Sequence, residues 1–187
     1  MGHAEDEDGA GPSQDWVGAE PVRVDALAAR RVVSIDHKDG LAIAVTSAGK
    51  LFLFCAGWNL PPPVFHYLNP TPAPVPFSGV LVRDASCSSG HVAAVASDGR
   101  LFTWGEGAEG KLGHGDEEDQ LLPRLVEVLK GKKVAQVSAG HLHSLVLTES
   151  GDVFSFGNGG NGRLGHGDKE NQHLPKLVEA LRGKKIL

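Results

Sequence analysis

Apolar and polar positions follow one recurring order along this chain. In AAVASDGRLFTWG (residues 93–105) an apolar run ends at Asp98-Gly99, and a second run follows through Leu101-Phe102-Thr103-Trp104. A short apolar run, a turn pair that tolerates positive φ and a second run predict a β-hairpin. LVLTESGDVFSFG (145–157) has the same order around Ser150-Gly151. KVAQVSAG (133–140), with Val134 and Val137 apolar, predicts a further strand. PRLVEVL (123–129) and PKLVEAL (175–181) fit either a short strand or one helical turn.

These patterns belong to an internal repeat. Residues 99–134 align without gaps on residues 151–186 at a constant offset of 52, and well over half of the positions are identical. Upstream, Ser86 and His91 fall opposite Ser138 and His143. A degenerate third copy, IAVTSAGKLFLF (43–54), stands 50 residues before AAVASDGRLFTW (93–104). Units of about 50 residues point to propellers and kelch-like arrays, in which each unit buries its apolar face on its neighbours. The fold expected is all-β: a partial β-propeller of about three blades, each of four short antiparallel strands packed face to face. Trp104 and Phe156 share one repeat position and would anchor their blades. The expected organisation is a disordered acidic leader (1–19), a degenerate first repeat (20–79) with a proline-rich insertion (58–77), and two well-formed repeats (80–187), the last incomplete.

Composition supports the β reading, with 25 Gly and 11 Pro to punctuate the chain. The net charge of −5 gives no overall nucleic-acid footprint. Two cysteines, Cys55 and Cys87, are too few for a disulfide scaffold and are expected to stay reduced. With the acidic charge they suggest an intracellular protein, cytoplasmic or nuclear. No apolar run approaches the roughly 20 residues of a membrane span. The leader, with Glu5, Asp6, Glu7 and Asp8 in one run, has neither the basic nor the apolar region of a signal peptide.

Gly105-Glu-Gly107-Ala-Glu-Gly110 satisfies G-x-G-x-x-G. A dinucleotide fingerprint needs a helix directly after the glycines, because its N-terminus holds the pyrophosphate. Here Gly113 and Gly115 follow at once, and the pattern recurs with its whole flank at 157–162. The loop is therefore expected to turn at positive φ and to hold no cofactor. The chain also lacks the Lys-Ser/Thr ending of a P-loop at Lys111 and Arg163.

At these residues the chain resembles the regulator of chromosome condensation repeats. The resemblance is carried by Leu101-Phe102-Thr103-Trp104-Gly105, Gly110-Lys-Leu-Gly113-His-Gly115-Asp116, Leu122-Pro123 and Ser138-Ala-Gly140-His-Leu-His143-Ser144. Phe154-Ser-Phe-Gly157, Gly162-Arg-Leu-Gly165-His-Gly167-Asp168 and Leu174-Pro175 repeat most of it. It covers residues 80–187 well and 32–54 weakly. The resemblance implies a seven-bladed propeller used as a binding platform. Founding members release guanine nucleotide from a Ran-type GTPase and dock on chromatin. Others are docking or scaffold domains, some on ubiquitin ligases, and one plant branch senses ultraviolet-B.

The chain departs from that pattern in three places. Three units do not close a propeller, so the chain reads as part of a longer protein or as a unit that self-assembles through open blade edges. The first unit has a proline-rich stretch in place of the glycine loop, read as an extended insertion on a blade edge. The ultraviolet branch places tryptophan after the glycine of Ser-Ala-Gly, where this chain has His141, and Ser89 in the preceding copy.

Neither the histidines nor Asp116 and Asp168 form a catalytic or metal constellation, since repeat-related side chains should sit one blade apart. The basic clusters Lys130–Lys133 and Arg182–Lys185 read as inter-blade loops, or as a stripe for acidic partners or chromatin. No catalytic, cofactor or metal residue is assigned. The expected partner-binding set is Glu106, Glu109 and Lys111, their counterparts Asn158, Asn161 and Arg163, and Trp58. Trp104, Phe156, Gly105, Gly157, Gly113, Gly165, Asp116, Asp168, His91 and His143 are expected to build the repeat. The function expected is a protein–protein interaction platform; the alternative is guanine-nucleotide exchange on a Ran-type or other small GTPase.

Overall fold

A computed structural model describes residues 23–38, 40–55 and 72–184. The acidic leader, Trp58 and most of the proline-rich stretch lie outside them. Twelve strands form three antiparallel sheets of four. The first blade holds β1 (Val32–Lys38), β2 (Leu41–Thr46), β3 (Leu51–Cys55) and β4 (Ala73–Pro74). The second holds β5 (Val82–Cys87), β6 (His91–Ala96), β7 (Leu101–Gly105) and β8 (Gln120–Leu125). The third holds β9 (Val134–Ala139), β10 (His143–Thr148), β11 (Val153–Gly157) and β12 (Gln172–Leu177). Strand order within each sheet follows the sequence, so each blade is a meander. The predicted all-β, four-stranded blades are what the chain forms.

The ambiguous segments contain both elements. β8 ends at Leu125, and a single 3-10 turn follows at Glu127–Leu129; β12 is followed by an equivalent turn at Glu179–Leu181. Leu129 enters the core from that turn and is 2% exposed. Within the proline-rich stretch, Ala73–Pro74 adds the outer strand of the first sheet, an edge position where a missing N–H costs no ladder bond. Phe77 then turns back and meets the rings of Phe102 and Trp104 edge-on, at 5.5 and 5.7 Å.

Strand alternation divides the core between two interfaces. Leu41, Ile43, Leu51 and Leu53 of the first blade pack on Val82, Val92, Ala94 and Trp104 of the second. The opposite face of the second blade, with Ala93, Val95 and Leu101, packs on Val137, Val146, Phe154 and Phe156 of the third. Each large side chain buried there contributes about 1.5–3 kcal/mol. Both faces of the second sheet are covered, so His91–Ala96 is buried along its whole length.

Candidate functional site

The glycine loops leave the third strand of the second and third blades, β7 and β11. Gly105 turns the chain at φ 116°, and a Cβ there would fall 2.4 Å from the carbonyl oxygen of Gly90. Gly157 repeats the turn at φ 106°, with the Leu142 carbonyl oxygen at 2.5 Å. No other residue fits either place. Each loop then makes one 3-10 turn, and Glu109 and Asn161 adopt left-handed φ of 65° and 61°. Asn tolerates that conformation; Glu does so at a cost of about 1 kcal/mol.

Polar bonds inside each loop are copied between blades. Asp119 accepts from the Gly107 amide at 2.8 Å, as Asn171 does from Gly159 at 3.0 Å. Asp116 and Asp168 accept from the amides of Glu118 and Glu170, both at 3.1 Å. Thr103 donates to the Leu112 carbonyl at 2.6 Å, so His114 must donate to Thr103 from Nε2, 3.0 Å away. Ser155, Leu164 and His166 repeat this triplet at 2.7 and 2.9 Å. Burial holds both imidazoles below their ordinary pKa. The paired histidines thus fasten loops to strands, and the paired aspartates brace each loop internally.

His91 joins two blades. Ser144 of the third blade donates to the Lys111 carbonyl at 2.9 Å, so it accepts from Nε2 of His91, also at 2.9 Å. Ser88 donates to Nδ1 at 2.7 Å. Every polar atom of the ring is occupied in its neutral form, and burial pushes its pKa down to about 3. His143 occupies the same position in the third blade, but Gly140 replaces Ser88, and its buried Nδ1 has no partner among the described residues.

Lys111 corrects the expectation of an accessible rim residue. Its side chain is 2% exposed, and its ammonium bonds Glu106 at 2.8 Å. The loop folds back over it, because a charge in the interior is stable only beside an opposite one. Arg163 at the equivalent position is exposed and bonds the carbonyl of Gly160. Glu106, Glu109 and Asn158 are half-buried, and Asn161 is exposed. Cross-blade bonds tie the first loop to the third blade: Asn171 donates to Glu109, and His173 of β12 meets Glu117 at 3.0 Å. Trp104 and Phe156, 3% and 0% exposed, lie in the core behind the rim.

Two inter-blade links carry no legible motif. Asp36 accepts from the Ser86 hydroxyl at 2.7 Å and the Cys87 amide at 2.9 Å, and the Ser86 oxygen accepts from the Ala139 amide at 3.0 Å. This chain runs across the first strands of all three blades. Arg83 of the second blade pairs with Glu149 of the third at 3.3 Å and donates to the Val134 carbonyl. Among the described residues there is no group of three metal-ligating side chains, and no helix long and apolar enough to cross a membrane.

Stacked four-stranded meanders, joined by buried histidine and backbone bonds and crowned by paired glycine loops, define a propeller built from a tandem repeat. The sequence profile of the Regulator of chromosome condensation (RCC1) repeat matches residues 98–147 and 150–187. A second profile of the same repeat matches 82–111 and 134–163. The chain belongs to the RCC1 repeat family. It is 37% identical over 171 residues to the E3 ubiquitin-protein ligase HERC2 of Mus musculus, covering 89% of this chain and 4% of that protein. It is 29% identical over 190 residues to the Ultraviolet-B receptor UVR8 of Arabidopsis thaliana, 100% of this chain and 41% of the receptor. The crystal structure of human WBSCR16 superimposes with a TM-score of 0.69 at 27% identity, over 81% of this chain and 40% of that one. Prp20p from Saccharomyces cerevisiae shares the fold, with a TM-score of 0.68 at 20% identity over 80% and 39%. The chain spans less than half the length of each of these relatives.

Proposed function

We propose that this chain is a non-enzymatic protein-interaction platform whose partner surface is the joined rim of loops 105–119 and 157–171. The supporting observation is the pair of cross-blade contacts, Glu109 with Asn171 of the facing loop and Glu117 with His173 at the start of β12, which hold the first loop against the third blade. Internal bonds hold the loops in one shape, so little ordering cost falls on binding. Glu117, Glu118, Asp119 and Glu170 are exposed there, against Arg163 and Lys169. A rim with that balance selects a partner with a basic patch. The similarity to a short segment of a ubiquitin ligase supports a docking role. Trp58 and the proline-rich stretch would extend the surface.

The test compares partners captured by the wild-type chain and by a Glu117→Lys, Glu118→Lys variant, with affinity followed against salt. Loss of specific partners in the variant, with a steep salt dependence, supports the rim. An unchanged capture profile refutes it.

A second reading is guanine-nucleotide exchange on a small GTPase of the Ran type. Its support is the fold shared with Prp20p, a protein described with its binding properties to Gsp1p and histones. An exchange factor works by distorting its partner's nucleotide site, so it needs no catalytic side-chain set. Accelerated GDP release from a GTPase panel at catalytic amounts of folded chain supports it, and no acceleration refutes it.

A further inference from the structure

The sheets have two ends, and the glycine loops stand at only one of them. β7 runs from the turn at Asp98–Gly99 to the loop at Gly105, so turn and loop lie at opposite ends. The segments that open the blades meet the turns at the far end. Ser47 N–H donates to the Arg31 carbonyl, Ser97 N–H to that of Leu81 and Glu149 N–H to that of Lys133, at 2.8, 2.8 and 2.7 Å. Blades stack side by side, so this turn end faces solvent whichever blade comes next.

The two ends differ in charge. The loop end exposes Glu117, Glu118, Asp119 and Glu170. At the turn end Asp98, Glu127 and Glu149 already hold Arg100, Lys130 and Arg83, and Asp152 accepts from the Ser150 hydroxyl. Arg30, Lys50, Lys132 and Lys133 are exposed there, and among the described residues no carboxylate pairs with them. Arg30 lies over the Phe52 ring at 5.0 Å, and Lys132, its repeat counterpart, over Phe154 at 5.3 Å. The rings hold these charges at the surface without neutralising them.

The acidic leader joins the fold at this same end. The described chain starts at Arg23 and passes through the single turn Asp25–Leu27 to Arg30. Residues 1–22 carry six carboxylates, Glu5, Asp6, Glu7, Asp8, Asp15 and Glu20, and no lysine or arginine. The whole chain has a net charge of −5, so the remainder is net positive. Fifteen residues lead from Asp8 to Arg23. A chain of that length spans about 20 Å as a flexible coil and at most about 50 Å extended. Packed sheets lie about 10 Å apart, which puts Lys132 and Lys133, two blades on from Arg30, on the order of 20 Å away and within reach.

We propose that the acidic run Glu5–Asp8 docks on the turn end of its own chain, against Arg30, Lys50, Lys132 and Lys133. The tether supplies an effective concentration of about a millimolar, so a contact of modest strength suffices. The docked run shields the turn end from other polyanions and leaves the loop rim free. The proposal is independent of the rim reading above.

The test is the rate of lysine acylation in the folded 187-residue chain, read by mass spectrometry. Wild type is compared with a Glu5→Gln, Asp6→Asn, Glu7→Gln, Asp8→Asn variant, whose fold circular dichroism verifies. A nearby carboxylate favours the unreactive ammonium, so Lys132 and Lys133 should react at least about threefold faster in the variant. Lys169, at the loop end, should react equally in both. The difference should vanish at about 1 M salt, where the screening length is about 3 Å. Carbodiimide coupling of a dilute mixture of unlabelled and isotope-labelled wild type then maps the contact. Links from Glu5–Asp8 to Lys50, Lys132 or Lys133 within one chain are expected. Equal acylation rates overturn the proposal, as do links that fall chiefly on Lys169. Links between labelled and unlabelled chains also overturn it, because they make a second copy the site of docking.

Discussion

Nε2 of His91 in the second blade lies 2.9 Å from the hydroxyl oxygen of Ser144 in the third, and both residues are 0% exposed. The bond exists only with the imidazole neutral at Nδ1, where Ser88 donates. Below its ordinary pKa of about 6.5 the unfolded chain binds a proton there that the folded chain refuses until about pH 3. Stability from this group is therefore complete above pH 6.5 and falls as pH drops toward 3, by up to about 1.4 kcal/mol per pH unit. His91→Gln should flatten the acid limb of a pH–stability curve measured by urea unfolding. An acid limb of unchanged slope would contradict the assignment.

Glu106→Gln should destabilise the fold by about 2 kcal/mol, because it leaves the Lys111 ammonium buried without its counter-charge while part of the Glu106 site remains open to water. Pairing it with Lys111→Met should recover most of the loss. A double-mutant cycle by chemical denaturation measures the coupling. Asn158→Ala, at the equivalent place beside exposed Arg163, should cost less than about 1 kcal/mol.

Gly99 and Gly151 share one φ of 87° and differ in their neighbours. Alanine at either pays for left-handed backbone, about 1–2 kcal/mol. Among the described residues, only at Gly99 does the added Cβ meet a neighbour, the Lys133 backbone at 2.9 Å. In dilute samples Gly99→Ala should therefore be the less stable by a further ~1–3 kcal/mol, read as the difference between the two midpoints.

Ser86→Ala removes the oxygen that bridges Asp36 and the Ala139 amide. Two partners lose a bond together, and a cost of about 2 kcal/mol is expected. Ser138→Ala, at the equivalent but exposed position in the third blade, should be near neutral. Thermal unfolding of the two variants side by side checks the contrast.

The Cys87 thiol is 1% exposed, and burial together with nearby Asp36 pushes its pKa up to about 12. Thiolate is the reactive form, so alkylation mapped to Cys87 by mass spectrometry should be negligible in the native protein and rapid in denaturant.

Strand placement was legible because the apolar runs and their turn pairs recur at a fixed offset, and a repeated error of register would expose the core twice. Trp104 and Phe156 were readable for the same reason. Lys111 was not, since a lysine after a glycine turn looks the same whether the loop opens or closes. The available signal was the change from Glu106 to Asn158, which leaves Arg163 a cation without the acid that Lys111 has five residues upstream. The Asp36–Ser86–Ala139 chain left no pattern, because a main-chain donor has no letter in the sequence and Asp36 has no repeated counterpart.

The repeat profile and the sheet are out of step. Residues 98–147 contain β7 and β8 of one blade with β9 and β10 of the next. A piece with those bounds never holds a whole sheet. It holds the outer half of one and the inner half of its successor, and the halves satisfy their ladders only by pairing with what lies on either side. Each such piece therefore spans a blade junction, and its strands complete their sheets only with strands of the adjoining pieces.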